Sequence, residues 1–200
     1  MTSRKPTRIP DENGWAPGKP SVLDVGCGRN KVPGAIGLDR FPLEGVDVIH
    51  DLQQFPYPFS NDYFDHIHAH HVIEHLPDVG PFMAELNRIA KPGGLLYLST
   101  PHYSSMGSWR DPTHYQHFSI YTFEYFTRRH PADYYSGSTH WEIVQSEIRM
   151  LRLWRLTGIE WLINLADRYP QCRWLRKFWE EYTAFIFRAR EIRVILRARK

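Results

Sequence analysis

Cysteine is scarce in this chain: Cys27 and Cys172 are the only two in 200 residues. They are too few for a disulfide framework and fit a reducing compartment, so a cytoplasmic location is expected. No run approaches the 18 or so consecutive apolar residues that a membrane span needs, so no transmembrane segment is expected. Residues 1–20 carry four Pro and two Gly and no apolar h-region, and read as a flexible leader rather than a secretory signal. Internal repeats and low-complexity tracts are also missing. What is present is enough for a packed core: 42% of residues are apolar and 24% charged, which excludes wholesale disorder. The length predicts one domain over 21–200, with a cofactor-binding half at 21–101 and a substrate half at 102–200.

Charge is split along the chain. Residues 1–150 hold 13 Lys and Arg against 17 Asp and Glu, a net of −4, whereas residues 151–200 hold 12 against 5, a net of +7. Seven Trp and eleven Tyr make a heavy aromatic load of the kind that lines pockets as well as cores.

Short apolar runs bounded by turn residues predict buried parallel strands at 21–25 (SVLDV), 35–39 (AIGLD), 47–50 (DVIH), 64–70 (FDHIHAH) and 95–99 (LLYLS). Val79, Phe82, Met83, Leu86 and Ala90 recur at helical spacing. Asp78 is the expected N-cap and Lys91-Pro92-Gly93-Gly94 the stop. That order is an α/β pattern around a parallel sheet. Beyond it, FEYF predicts a short helix, 141–156 a long strand, 158–187 helix, and 191–198 a final strand.

Ligands of open α/β sheets sit at the carboxyl ends of the strands. The first strand there runs into Asp24-Val25-Gly26-Cys27-Gly28-Arg29-Asn30, whose glycines let backbone approach a ligand without a Cβ in the way. Asp39 ends the second strand, where a carboxylate can accept two hydrogen bonds from a ribose diol. Asp51 and Leu52 end the third, and suit the amino group and face of an adenine.

These residues resemble the class I S-adenosylmethionine-dependent methyltransferases of the type 11 branch. The likeness runs from about Val22 to Thr100. VLDVGCG is similar to the first motif, IGLD to the second-strand acid, and HDL with FPYPFSNDYFD to the third motif. HHVIEHLPD with LNRIAKPGGLLYLSTPH is similar to the segment from the fourth to the fifth strand. The resemblance implies S-adenosylmethionine as cofactor and S-adenosylhomocysteine as product. It implies a Rossmann-like sheet, mostly parallel with an antiparallel final strand, and a helical insertion at about 158–187. It also implies a cofactor site at Asp24, Gly26, Cys27, Gly28, Asp39, Asp51, Leu52 and His70. Two departures stand out. Asn30 takes the place of a third glycine, and only ten residues separate Gly28 from Asp39, which shortens the first helix away and argues against a dinucleotide-binding domain.

Five of the eleven histidines lie between His66 and His75. His71-Val-Ile-Glu74-His75 matches the H-x-x-E-H pattern of a zinc hydrolase, a remote alternative. The motif begins at a strand end with no third ligand at helical spacing, so no metal is expected. His66 and His68 read as packed or hydrogen-bonded groups on a strand. After the fifth strand, GSWRDPTHYQHFS resembles a segment recurring in the same branch, in a region that implies contact with the transferred methyl group. His114, His102 and Asp111 are the catalytic candidates, histidine having a suitable pKa for a general base. Tyr103, Trp109 and His117 are candidates for the acceptor. The expected activity is methyl transfer to an O or N nucleophile of a small or amphiphilic, anionic-leaning molecule. The alternative is a non-catalytic methyltransferase-like binding module.

In 158–190, Trp161, Trp174, Phe178 and Trp179 interleave with Arg168, Arg173, Arg176, Lys177, Arg188 and Arg190. An amphipathic helical pair, a substrate lid and a peripheral membrane surface all fit. Glu160, Asp167, Glu180 and Glu181 dilute the charge and disfavour nucleic acid. Oligomeric state is not legible.

Overall fold

The computed structural model describes residues 21–127 and 140–200. The expected leader at 1–20 lies outside them. Seven strands form one sheet: β1 (Val22–Val25), β2 (Ile36–Asp39), β3 (Val48–Ile49), β4 (Phe64–His70), β5 (Ala90–Pro101), β6 (His140–Met150) and β7 (Ala189–Arg199), in the order β3-β2-β1-β4-β5-β7-β6. Pairs from β3 to β5 are parallel, and β7 runs antiparallel to both β5 and β6. This is the mixed α/β sheet expected, with its last strand reversed.

The two faces differ. Ile67, Ala69, Leu96, Leu98, Val194 and Leu196 are buried on one. There α1 (Val79–Ile89) lays Phe82, Met83, Leu86 and Ile89, and the Trp141 indole donates to the Met83 carbonyl at 3.3 Å. Asp78 caps α1 as expected, accepting from the Gly80 N–H at 3.0 Å. The helix ends one residue early, and Ala90 already pairs with Phe64 as the first residue of β5. His66, His68, Tyr97 and Ile195 alternate onto the other face and are only half-buried.

Between β1 and β2 there are turns and no helix, as the ten-residue spacing requires. After β5 come the short helix α2 (Met106–Arg110) and a 3₁₀ helix at Ile120–Phe126 around the FEYF segment, followed by 128–139, outside the described residues. The strand expected over 141–156 ends at Met150 and is followed by α3 (Arg152–Leu156). The alternating LRLWRL run mimics a strand, yet Leu153 and Leu156 are exposed and no residue of α3 is buried, so there is no sheet face for it to line. The helix expected over 158–187 is broken. α4 (Ile159–Arg168) stops before Pro170, which cannot continue a helix without losing an N–H. A 3₁₀ turn follows at Pro170–Cys172, then α5 (Arg173–Phe178), which runs into a π-helical turn at Trp179–Thr183.

The free edge of β6 is met by α4. Glu160, Asn164 and Asp167, one helical face, accept the N–H groups of Met150, Ile148 and Ser146 at 2.7, 2.9 and 2.8 Å. Alternate N–H groups of a strand edge thus find side-chain acceptors at helical spacing, which closes an edge otherwise open to pairing.

Candidate functional site

Parallel pairing puts the carboxyl ends of β1, β2 and β3 side by side. Val25 is in register with Leu38, and Leu38 with Val48. Gly26 (φ +65°) and Gly28 (φ +51°) turn the chain just beyond β1. The Gly26 N–H donates to the Leu38 carbonyl at 2.7 Å, which fastens the loop to β2. The Gly28 N–H donates to Asp39 Oδ2 at 2.9 Å, and Asp39 Oδ1 accepts from the Phe41 N–H at 3.0 Å. Asp39 is therefore first a strut that fixes the glycine loop. Each of its oxygens keeps a second lone pair for a hydroxyl. A Cβ added at Gly28 would meet nothing within 4 Å, so the loop opens on free space beside this acid. A buried carboxylate with lone pairs to spare and open space next to a side-chain-free residue fit a nucleoside.

The other expected cofactor residues lie around this edge. Asp24 is buried, which raises its pKa against the opposing hydrogen bond from the Val32 N–H at 2.7 Å. Burial and then the Asp24 and Asp39 charges push the Cys27 thiol up to about 11, so it stays protonated and acts by packing. Asp51 Oδ1 accepts from the Gln53 N–H at 3.0 Å, and the Leu52 carbonyl accepts from the Tyr57 hydroxyl at 2.9 Å. His70 ends β4, with Nδ1 3.0 Å from Ser99 Oγ and Nε2 3.3 Å from His68 Nδ1. Desolvation lowers its pKa against the pull of Asp24. A cavity of about 320 Å³ opens beside it, lined in part by Ser99, Glu147, Glu191 and Arg193.

Past β4 the chain turns at His71, in the left-handed region at φ +54°, where a histidine is unusual and worth a functional look. Hydrogen bonds to Glu191 and Glu74 raise its pKa to about 9, so it is cationic at neutral pH. Burial opposes ionisation of Glu191, but His71 and Arg193 hold it down to about 2. Glu74 and His75 fall in a 3₁₀ turn (Ile73–His75) that does not include His71. The H-x-x-E-H segment is therefore not the helix that a zinc hydrolase uses, and His71 spends its ring on two carboxylates.

Glu74 is buried and its carboxylate accepts from the Thr100 hydroxyl at 3.0 Å. Its backbone carbonyl accepts the N–H groups of Tyr115 and Gln116 at 2.8 and 3.3 Å, which brings the DPTH loop to the end of β4. There His75 and His114 meet edge to face, with ring centres 4.6 Å apart. Asp111 Oδ2 lies 3.7 Å from His114 Nε2, and the Thr113 hydroxyl bridges Asp111 Oδ1 (2.7 Å) to His75 Nδ1 (2.9 Å). Hydrogen bonds from Thr113, then the charges of His114 and His75, lower the Asp111 pKa.

His102 does not join this group. It is fully buried, with Nδ1 2.9 Å from Ser104 Oγ and Nε2 3.3 Å from Glu180 Oε1. Glu180 is also bonded to the Ser119 hydroxyl and to the Ile120 N–H at 3.1 Å. The expectation that His102 faces an acceptor is corrected: both its ring nitrogens are spent on pinning the insertion to β5. Tyr103 is tied the same way, its hydroxyl donating to the Glu180 carbonyl. Burial, then the Glu180 charge, pushes its pKa up to about 12. Trp109 stacks on His117 with ring centres 3.6 Å apart and donates its indole N–H to the Tyr103 carbonyl at 2.6 Å, so these three candidates form one cluster. Glu180 had no signal in the sequence, because its partners lie 60 to 78 residues away. Glu74 and His75 were visible in H-x-x-E-H; His114, which meets them in space, lies outside that pattern.

A family model described as a methyltransferase domain matches residues 3–131, more than half of the chain. Methyltransferase GfsG of Streptomyces halstedii is 34% identical over 101 residues, which cover 39% of this chain and 36% of that protein. A ubiquinone biosynthesis O-methyltransferase of Pseudomonas paraeruginosa is 29% identical over 111 residues, covering 45% and 47%. The chain thus spans between about a third and half of the length of these curated relatives. The fold is shared with a SAM-dependent methyltransferase from Archaeoglobus fulgidus, at a TM-score of 0.57, 20% identity and coverage of 90% and 86%.

Proposed function

This chain belongs to the class I S-adenosylmethionine-dependent methyltransferase family, and we propose that it moves the cofactor's methyl group to an oxygen or nitrogen nucleophile of a small or amphiphilic acceptor. The observation that carries this reading is the Gly28–Asp39 hydrogen bond at 2.9 Å beside open space, at the carboxyl edge of three adjacent parallel strands. In this reading Asp39 accepts the ribose hydroxyls, Asp51 and Leu52 hold the adenine, and Asp24, Gly26, Cys27, Gly28 and His70 form the remaining wall. When bound, the cofactor supplies a methyl group already activated on a sulfonium. The protein therefore has to bind, orient and exclude water, and orientation alone can supply roughly 7–11 kcal/mol of a barrier.

The acceptor side is assigned to Tyr103, Trp109 and His117, with the Asp111–His114 pair next to Glu74 and His75. His114 is the better base for a hydroxyl or ammonium acceptor, because its Nδ1 donates to the Ser108 carbonyl at 3.0 Å, which leaves the lone pair on Nε2, and Asp111 Oδ2 at 3.7 Å stabilises the charge once Nε2 has taken a proton. A base so placed adds about 10²–10⁴-fold. The O-methyltransferase named among the relatives supports an oxygen acceptor, and the exposed aromatic side chains of α4 and α5 support an amphiphilic one.

The test is calorimetry of S-adenosylmethionine binding, followed by transfer of an isotopically labelled methyl group to pools of phenolic, amine and amphiphilic acceptors. Asp39→Asn should weaken binding tenfold or more, since a hydrogen bond to a charged group is worth about 1.5–3 kcal/mol. An unchanged dissociation constant removes the ribose assignment. Binding with no turnover on any pool would make the chain a binding module instead.

A further inference from the structure

The cluster at the ends of β4 and β5 is built like a metal site. Glu74, His75 and His114 each offer a donor atom, and the three atoms lie within 4.8 Å of one another. The hydrogen bonds around the two rings set the tautomers. The Thr113 hydroxyl already donates to Asp111 Oδ1 at 2.7 Å, so it can only accept from His75 Nδ1. The Thr113 carbonyl, 3.3 Å from the same nitrogen, accepts as well. His114 Nδ1 faces only the Ser108 carbonyl, at 3.0 Å, and must donate to it. Both Nδ1 atoms therefore carry the proton and both Nε2 atoms the lone pair. Neutral imidazole held through its other nitrogen by an oxygen acceptor is the arrangement that ligating histidines require.

The carboxylate is in place for the same reason. Glu74 is 1% exposed, and His71 Nδ1 at 3.2 Å and Thr100 Oγ1 at 3.0 Å occupy one lone pair on each of its oxygens. One lone pair per oxygen remains. The backbone of Glu74 is clamped by Tyr115 and Gln116, which also fixes the approach of His114 from the next loop. Two imidazoles and one carboxylate leave further coordination positions open, and nitrogen donors favour zinc and its neighbours over magnesium or calcium.

We propose that Glu74, His75 and His114 bind one first-row divalent transition-metal ion, zinc being the best match to the donor set. Ligand bonds of about 2.1 Å place tetrahedral donor atoms roughly 3.4 Å apart. The rings of the half-buried His75 and of His114, whose side chain is 6% exposed, therefore shift toward one another on binding by about 1 Å. The ion's role rests on the methyl-transfer reading: a hydroxyl acceptor reaching an open position would have its pKa lowered there, and His114 would then serve as ligand rather than base. The binding itself does not depend on that reading.

Chelator-treated, untagged protein titrated with zinc in the calorimeter, and with cobalt(II) in the visible region, tests the site. One equivalent of each should bind, the cobalt form with the strong d–d absorption of a four- or five-coordinate nitrogen and oxygen site. His75→Gln and His114→Gln should each weaken zinc tenfold or more and abolish the cobalt band, with circular dichroism and S-adenosylmethionine affinity unchanged. Absence of the cobalt band from the folded wild type, or zinc affinity that neither substitution alters, overturns the proposal. Metal-free protein that binds the cofactor and turns over at full rate removes the ion's role and leaves methyl transfer standing. A bound ion without cofactor binding fails the methyl-transfer reading alone.

Discussion

Gly26 and Gly28 sit two residues apart in the same loop, both at positive φ, yet their surroundings separate fold from function. A Cβ at Gly26 would lie 2.4 Å from Val72 Cγ2, whereas one at Gly28 would meet nothing within 4 Å. Gly26→Ala combines left-handed strain with a clash against a buried side chain, so it should cost about 2 kcal/mol or more. Gly28→Ala bears only the backbone term, about 1–2 kcal/mol, but puts its methyl into the space assigned to the cofactor. Urea denaturation should rank Gly26→Ala as the less stable. Calorimetry should show that Gly28→Ala, still folded, binds S-adenosylmethionine at least tenfold more weakly. A Gly28→Ala protein with wild-type affinity would place the ligand elsewhere.

At the scale of elements, β4 carries His66, His68 and His70 along one face. The His68 ring stacks on Tyr97, ring centres 4.8 Å apart and planes 11° from parallel. Desolvation, then the neighbouring His70 and His66 charges, lowers its pKa to about 4. The unfolded chain titrates near 6.5, so between these values it binds more protons than the fold does. Stability is then full above about pH 6.5 and falls as the pH drops toward 4, by about 1–3 kcal/mol from this group. His68→Gln should flatten that part of the pH–stability curve, read from urea midpoints at pH 7.5, 6 and 5. An equally steep curve in the variant would assign the loss to other groups. The second element test concerns the covered edge. The Asn164 amide accepts from the Ile148 N–H at 2.9 Å and donates to the Ile148 carbonyl at 2.8 Å. Asn164→Leu strands both groups and should cost about 1–3 kcal/mol, whereas Asn164→Gln should retain part of the stability. The periodicity of α4 foretold a helix but not this edge. A chain pattern reports burial along an element, and Glu160, Asn164 and Asp167 are polar side chains whose partners lie on a strand already passed. The same limit hid Glu180 from His102. By contrast the strand ends near Asp24, Asp39 and Asp51 were legible, because a buried parallel strand must be a short apolar run bounded by turn or polar residues.

Across the whole molecule, the division seen in the charge count reappears in space. The sheet's carboxyl edge carries the acids, and the insertion between β6 and β7 carries cations and uncovered aromatic rings. Trp161, Trp174 and Leu156 are 69%, 64% and 78% exposed, and Phe178, Tyr182, Phe185 and Ile186 are exposed as well. Arg152, Arg168 and Lys177 lie among them in the chain. Helices that pack only to complete a core do not leave their largest apolar side chains in water, and large exposed apolar patches mark interaction sites. No described helix is long and apolar enough to cross a membrane; in the reading proposed above, the insertion would meet an amphiphile from the side, cations to the head group and rings to the chain. The double substitution Trp161→Ser with Trp174→Ser should therefore leave S-adenosylmethionine affinity unchanged. It should reduce sedimentation with vesicles containing phosphatidylglycerol at least fivefold, and high salt should weaken the wild-type interaction in the same assay. Wild-type protein that ignores both anionic and neutral vesicles would confine the insertion to a soluble acceptor. The same double variant would then have to raise KM for that acceptor at constant kcat, because rings that only hold a substrate contribute equally to its ground and transition states.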